Sequence, residues 1–240
     1  MWGKFRGLRI VMLHRVAIAA CLFLAACTTT NTRLADTSST AAKAPAGARV
    51  LIVQPDIELS LLTATGLSEA RADWSKSARD NIRQELKSAA TGKSLVLREL
   101  DPTAVEEPKV AQLLRLNEAV GSSIQGFNYG LYKLPTKKGF NWTLGAGAQT
   151  LGQTYDADYA LFTFSRGAFS SGGRKAAMVG MAMLGVSLPM AQQTAFVSLV
   201  DLKTGKIVWY NFAVAGTDSD MRTPEGAKTF AAALLKDAPL

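Results

Sequence analysis

Near its amino terminus the chain carries Leu24-Ala25-Ala26-Cys27 at the end of a short apolar run, and this tetrapeptide limits what can fold more than any other feature. The four residues form a lipobox, the site at which bacterial lipoproteins are processed. There the cysteine thiol receives a diacylglyceryl group, the chain is cut before the cysteine, and the new amino terminus is acylated. Leu24, Ala25 and Ala26 are the peptidase-recognition residues and Cys27 is the lipidation site. The folding chain is therefore expected to begin at Cys27, held to a membrane by that residue in an oxidising compartment.

Residues 1–26 have the layout of a secretory signal. Lys4, Arg6, Arg9 and Arg15 supply its positive region, and no acidic residue precedes Asp36. The apolar core from Val16 to Leu24 is too short for a bilayer span, which takes about 20 residues. The plainer alternative is an ordinary cleaved signal, with Cys27 as the first free thiol. The position of Cys27, directly after Leu24-Ala25-Ala26, favours the lipobox. Anchoring by acyl chains is physically sufficient, because each buried methylene contributes about 0.8 kcal/mol and two or more chains hold stably. Thr28, not Asp, follows the cysteine. In Gram-negative lipoproteins an Asp there commonly retains the protein in the inner membrane, so Thr28 points to the outer membrane with the domain facing the periplasm.

Removal of the leader leaves 214 of 240 residues, a length suited to one domain. The full chain has 27 basic and 19 acidic residues, but four of the basic ones lie in the leader, so the mature balance is +4 and not +8. No Lys/Arg-rich run interleaved with aromatics remains, and nucleic acid is excluded as a partner. The single histidine, His14, and one of the two cysteines, Cys21, leave with the leader. The mature chain thus has no imidazole for a Ser-His or Cys-His nucleophile, no His/Cys ligand set for zinc and no disulfide. No metal or cofactor is expected.

Residues 27–48, rich in Thr, Ser and Ala, read as a lipidated flexible tether. Residues 49–240 read as one α/β domain. Arg49–Pro55 is a β-branched strand stopped by proline, and 56–72 gives no clear pattern. A helix is expected over about 73–90, with Trp74, Ala78, Ile82 and Leu86 on one face. A strand at 94–97 follows, then a helix from about Val105 to Phe127 with Pro108 in its first turn. Residues 128–156 are glycine-rich, with a short helix possible over 142–151. A central strand is expected at 158–164. Residues 194–202 and 207–215 form a hairpin around Lys203-Thr204-Gly205, and Thr223 caps a last helix with Pro224 at its first position. The order is β-α-β-α-β, an apolar insertion, then β-β-α: a mixed sheet flanked by helices.

The insertion, 170–192, contains the least ordinary stretch of the mature chain. Ala176 to Ala191 holds sixteen residues without a charge, rich in Met, Gly and Ala. Ser170-Ser171-Gly172-Gly173 reads as a hinge before it, and Arg174-Lys175 as a basic collar. The first reading is a small-residue helix or loop buried against the sheet. The second is an element that dips into a membrane or packs between subunits, since Gly and Ala allow close approach and Met adapts to varied partners.

Other motifs reduce to structural uses. Thr91-Gly92-Lys93-Ser94 lacks the earlier glycine and following helix of a phosphate loop, and Gly145-Ala146-Gly147 lacks the third glycine of a dinucleotide fingerprint. Asp156, Asp158, Asp201, Asp218 and Asp220 are the candidate carboxylates. Asp156 and Asp158 flank a strand start and Asp201 precedes a turn, ordinary places for Asp.

Two segments carry a family resemblance. Asp156-Ala157-Asp158-Tyr159-Ala160-Leu161-Phe162 resembles the strand entry of periplasmic modules similar to the TolB amino-terminal domain. Ser198-Leu199-Val200-Asp201-Leu202-Lys203-Thr204-Gly205-Lys206-Ile207-Val208-Trp209 resembles the hairpin of the same group. The group includes the curli-secretion lipoprotein and the lipoprotein activators of penicillin-binding proteins. Glu69–Trp74 and Leu134–Lys138 also resemble a set of uncharacterised bacterial lipoproteins. The resemblance implies a mixed α/β fold and a lipidated envelope protein that contacts other envelope components or oligomerises. The membrane hairpins of the curli channel alternate apolar and polar residues, and Ala176–Ala191 does not, which argues against a pore by that route.

Three functions follow as expectations. The first is a non-enzymatic interaction or assembly module at the outer membrane, with the membrane, other envelope proteins or further copies of itself as partners. The second is an oligomeric secretion- or channel-type lipoprotein that uses 174–191 for membrane contact or subunit packing. The third and least favoured is a carboxylate-dependent periplasmic hydrolase.

Overall fold

The computed structural model describes residues 28–35, 44–130, 132–137, 139–185, 191–216 and 218–240. Leu24, Ala25, Ala26 and Cys27 lie outside the described residues. The strands are β1 (Thr29–Leu34), β2 (Arg49–Val53), β3 (Asp56–Leu62), β4 (Ser68–Ala70), β5 (Val96–Leu100), β6 (Tyr159–Ser170), β7 (Ala191–Asp201) and β8 (Ile207–Val214). The helices are α1 (Ala72–Thr91), α2 (Pro108–Ile124), α3 (Gln149–Tyr155), α4 (Gly172–Ala182) and α5 (Pro224–Leu234).

All eight strands join one mixed sheet, with the main order β1-β8-β7-β6-β2-β5. β6 is the axis. Along Tyr159–Leu161 it pairs parallel with β2, and along Phe164–Ser170 it pairs parallel with β3. Gln54-Pro55 makes the step between those two partners, because proline supplies no ladder N–H. β6, β7 and β8 then run antiparallel, and β4 closes on the end of β3.

Helices cover both faces. On one face α1 and α5 bury Ala78, Ile82, Leu86 and Phe230 against Ile52, Ile57, Leu161 and Trp209. On the other, α2 and α3 bury Val110, Leu113, Ile124 and Leu151 against Leu51, Phe162, Phe196 and Tyr210. Each such aliphatic or aromatic side chain contributes roughly 1.5–3 kcal/mol. The expected fold class is thus present: a mixed sheet with helices on its faces. The local signals hold too. Pro108 opens α2, Thr223 Oγ1 accepts from the Gly226 N–H at the start of α5, and Gly205 takes a left-handed φ of 72° in the β7–β8 turn.

Three expectations need correction. Residues 29–34, expected within a flexible tether, form β1, an edge strand paired antiparallel with β8 from Thr29↔Val214 to Leu34↔Trp209. Its Thr-rich sequence has no buried stripe, so backbone pairing holds it, helped by Tyr129, whose hydroxyl donates to the Asn31 carbonyl at 2.7 Å. Burial pushes that hydroxyl up to about 12, so it keeps its proton. Residues 56–70, left without a pattern, contain β3 and β4. The strand expected at 94–97 begins at Val96, because Ser94 takes a left-handed φ of 57° that no strand accepts.

Candidate membrane-facing end

β6 ends at Ser170, β7 starts at Ala191, β3 ends at Leu62, β8 ends at Val214 and β1 starts at Thr29. The pairing puts all five at one end of the sheet: Thr29 lies opposite Val214, Val214 opposite Thr194, and Thr194 opposite Arg166. Thr28, the residue joined to Cys27, is seated at this end. Its hydroxyl lies 2.6 Å from Ser219 Oγ and accepts from the Gly216 N–H at 3.2 Å. Ser219 is fully buried and is fixed in turn by Gln193 of β7, whose amide donates to the Ser219 carbonyl at 3.2 Å and accepts from the Met221 N–H. The Thr28 contact therefore reaches β7, inside the strand order, through buried polar groups, each of which is costly to leave unpaired.

From the same end rises α4. Ser171 caps it by accepting from the Arg174 N–H at 3.2 Å, and Gly172 and Gly173 form its first turn, not the hinge expected there. Met178 is its one buried residue, with Ser170 Oγ 3.7 Å from the Met178 sulfur. Beyond it Val179 is 54% exposed, and Met183 and Leu184 are each 83% exposed. The preferred expectation, burial against the sheet, is thus corrected for the described part, since of the residues from Ala176 to Gly185 only Met178 is buried. Residues 186–190 lie outside the described residues. Among the described residues no helix is long and apolar enough to cross a membrane.

The sheet surface around Arg166 is shallow, and Glu118 of α2 reaches Arg166 at its margin, 4.0 Å away. Arg166 pairs with Asp56 at 3.0 Å and Glu58 at 3.2 Å, and its guanidinium lies 3.9 Å from the centre of the Phe164 ring. Ser60, Ser68, Ala168 and Gln192 complete a shallow polar surface. A cleft of about 470 Å³ lies beyond the ends of the adjacent parallel strands β2 and β5. Arg79 and Arg115 line it from α1 and α2, beside the buried Thr163 hydroxyl, which has no hydrogen-bond partner. Sequence reasoning missed this cleft, whose only linear trace is the pair of strand-ending prolines, Pro55 and Pro102.

The candidate carboxylates are dispersed. Asp158 accepts from the Arg49 backbone N–H at 2.9 Å and from the Arg49 side chain at 2.6 and 3.1 Å, which holds its carboxyl below the usual range. Asp156 ends α3 with a left-handed φ of 49° and pairs with Arg49 and Arg98. Asp201 accepts from the Lys203 N–H and Thr204 hydroxyl in the hairpin turn. Asp218 accepts from Ser219 Oγ. Burial raises Asp220, and its hydrogen bonds with Arg222 overcome that and leave it lowered. Among the described residues no group of three or more His, Cys, Asp or Glu is placed to hold a metal ion.

This end and this sheet define an α/β domain with an edge strand at 29–34 and an exposed apolar arm at the same end of the sheet. No family model matches the chain, and no curated protein matches it. Among solved structures it is similar to a leucine-to-methionine variant of the PelC dodecamer from Paraburkholderia phytofirmans, with 14% identity over 89% of this chain and 97% of that one and a TM-score of 0.38. It is similar also to the PelC dodecamer from the same organism, with 15% identity over 89% of this chain and 96% of that one and the same TM-score. At this identity and superposition the likeness assigns neither a residue nor an assembly to this chain.

Proposed function

We propose that the protein is a lipid-anchored module of the outer membrane, facing the periplasm, which works by binding other envelope components or further copies of itself and not by catalysis. The seat of Thr28 carries this reading. A lipid on Cys27 is joined to a residue hydrogen-bonded into the fold, so no free chain separates the anchor from the domain. The membrane then holds the sheet in one orientation, with the polar surface around Arg166 and the apolar arm close to the bilayer. Structural uses of Asp156, Asp158, Asp201, Asp218 and Asp220 support a non-catalytic role, as does a mature sequence without histidine. The resemblance to TolB amino-terminal-like lipoproteins fits the same reading.

The test is Cys27→Ser in cells. The variant should shift from the outer-membrane fraction toward the soluble periplasmic proteins at an unchanged melting temperature. A variant that fractionates with the outer membrane as fully as its parent removes the lipid anchor from the account.

A further inference from the structure

A helix that is apolar all round belongs in a protein core or in a lipid phase. From Ala176 to Gly185 the described arm carries no charge, and apart from Met178 each of its residues is exposed. Val179, Met183 and Leu184 offer large apolar side chains, with Met181 at their margin. Contiguous apolar surface of this kind marks a contact site. Its place in the fold says what the contact is.

Thr28 and α4 leave the same end of the sheet. The row Thr29, Val214, Thr194, Arg166 crosses three strand spacings, on the order of 14 Å at about 4.8 Å each. From Arg166 the strand continues four residues to Ser170, about 13 Å further out at about 3.3 Å per residue. α4 therefore starts beyond the row of Thr28, at the end of the sheet where a bilayer anchored at Cys27 must lie. Lys175 stands exposed at its base beside the half-buried Arg174, where a basic side chain meets anionic headgroups while the apolar turn beyond it enters the acyl boundary. The helix is too short to span, which suits an element lying in the interface.

We infer that α4 and the turn after it, Arg174–Gly185, insert into the membrane leaflet that holds the acyl chains of Cys27, forming a second, non-covalent anchor that fixes the tilt of the domain. This rests on the lipid-anchor reading above. The occupant is a lipid surface; a second copy of the chain is the competing occupant that the experiment separates.

The mature chain has one cysteine, and lipidation blocks it, so Leu184→Cys offers a single thiol for an environment-sensitive fluorophore. The full lipidated protein is reconstituted in vesicles of phosphatidylethanolamine and phosphatidylglycerol doped with nitroxide lipid. The label at 184 should shift to the blue and be quenched by the nitroxide, while a label at Lys93→Cys, at the opposite end of the sheet, should report water. A water-like, unquenched label at 184 overturns the inference. A label at 184 that is already shielded in the lipid-free Cys27→Ser protein also overturns it, because a second copy then covers the arm. With Cys27→Ser as background, Met183→Asp with Leu184→Asp should weaken vesicle binding at least about tenfold, since two apolar side chains leave the membrane. Equal binding of the two proteins contradicts insertion. Failure of the anchor reading shows separately: the mass of the lipidated sample then lacks acyl groups and Cys27 takes up a second label.

Discussion

Gly121 lies in α2 where that helix crosses the sheet, and replacing it with alanine tests the packing of that whole face. A Cβ there would stand 2.3 Å from Phe196 Cε2 and 2.4 Å from Cζ. Carbon atoms settle at about 3.5–4.0 Å, so helix and ring must part by more than about 1 Å. The ring has nowhere to go, because Phe196 is stacked against Phe164 at 5.0 Å and Tyr210 at 5.4 Å between centroids. The Gly121 carbonyl also accepts the buried Tyr210 hydroxyl at 3.1 Å, a bond that parting would break. Overpacking costs about 1–3 kcal/mol, and an unpaired buried hydroxyl costs about 1–3 kcal/mol. Alanine's helix preference returns about 1 kcal/mol. The balance is a loss of about 1–5 kcal/mol, which at about 2–4 °C per kcal/mol for a chain of this length lowers Tm by roughly 2–20 °C. Thermal and urea denaturation of the unlipidated Cys27→Ser protein measures it. Gly147→Ala is the control, since its Cβ would meet only Leu113 Cδ2 at 3.6 Å. A Gly121→Ala protein that melts with its parent refutes the packing described for α2.

Ser198→Ala should cost about 1–3 kcal/mol in urea denaturation, because it strips Asn117 Oδ1 of a buried donor at 3.0 Å. Thr223→Ala should cost about 1 kcal/mol by removing the cap on the Gly226 N–H, with Thr223→Ser restoring it. Acid should destabilise the domain. Asp158 is lowered by the Arg49 side chain first and by the Arg49 backbone N–H second, and Asp80 chiefly by Lys76. A depressed folded pKa gives stability that is present above the unfolded value of about 3.9 and is lost as pH falls through the folded value. Asp158→Asn should therefore flatten part of the loss below about pH 4. The carboxylate is 42% exposed, so the effect stays under about 1 kcal/mol in melts at successive pH values.

Elements with local signals were legible in the sequence. The four-residue stripe of α1, the Pro108 and Thr223-Pro224 starts and the Gly205 turn each depend on neighbours a few residues away. β3 carries a local signal as well, Ile57 and Leu59 buried between exposed Asp56 and Glu58, and the proline before it masked the alternation. β1 left no apolar trace, because an exposed edge strand is held by a partner far along the chain. The apolar arm shows the opposite limit. An uncharged run from Ala176 onward reads as buried, and nothing local to it says that it stays exposed. Of the candidate site, the lipobox can be read directly. The seat of Thr28 against Ser219 and Gln193 cannot, since it joins residues far apart in the chain.

The most direct test of the central claim is the intact mass and amino-terminal peptide of the protein isolated from outer membranes. The account predicts a chain beginning at Cys27 that carries a thioether-linked diacylglyceryl group and an amide-linked acyl chain. A chain cut elsewhere, or one beginning at Cys27 with a free thiol, contradicts it.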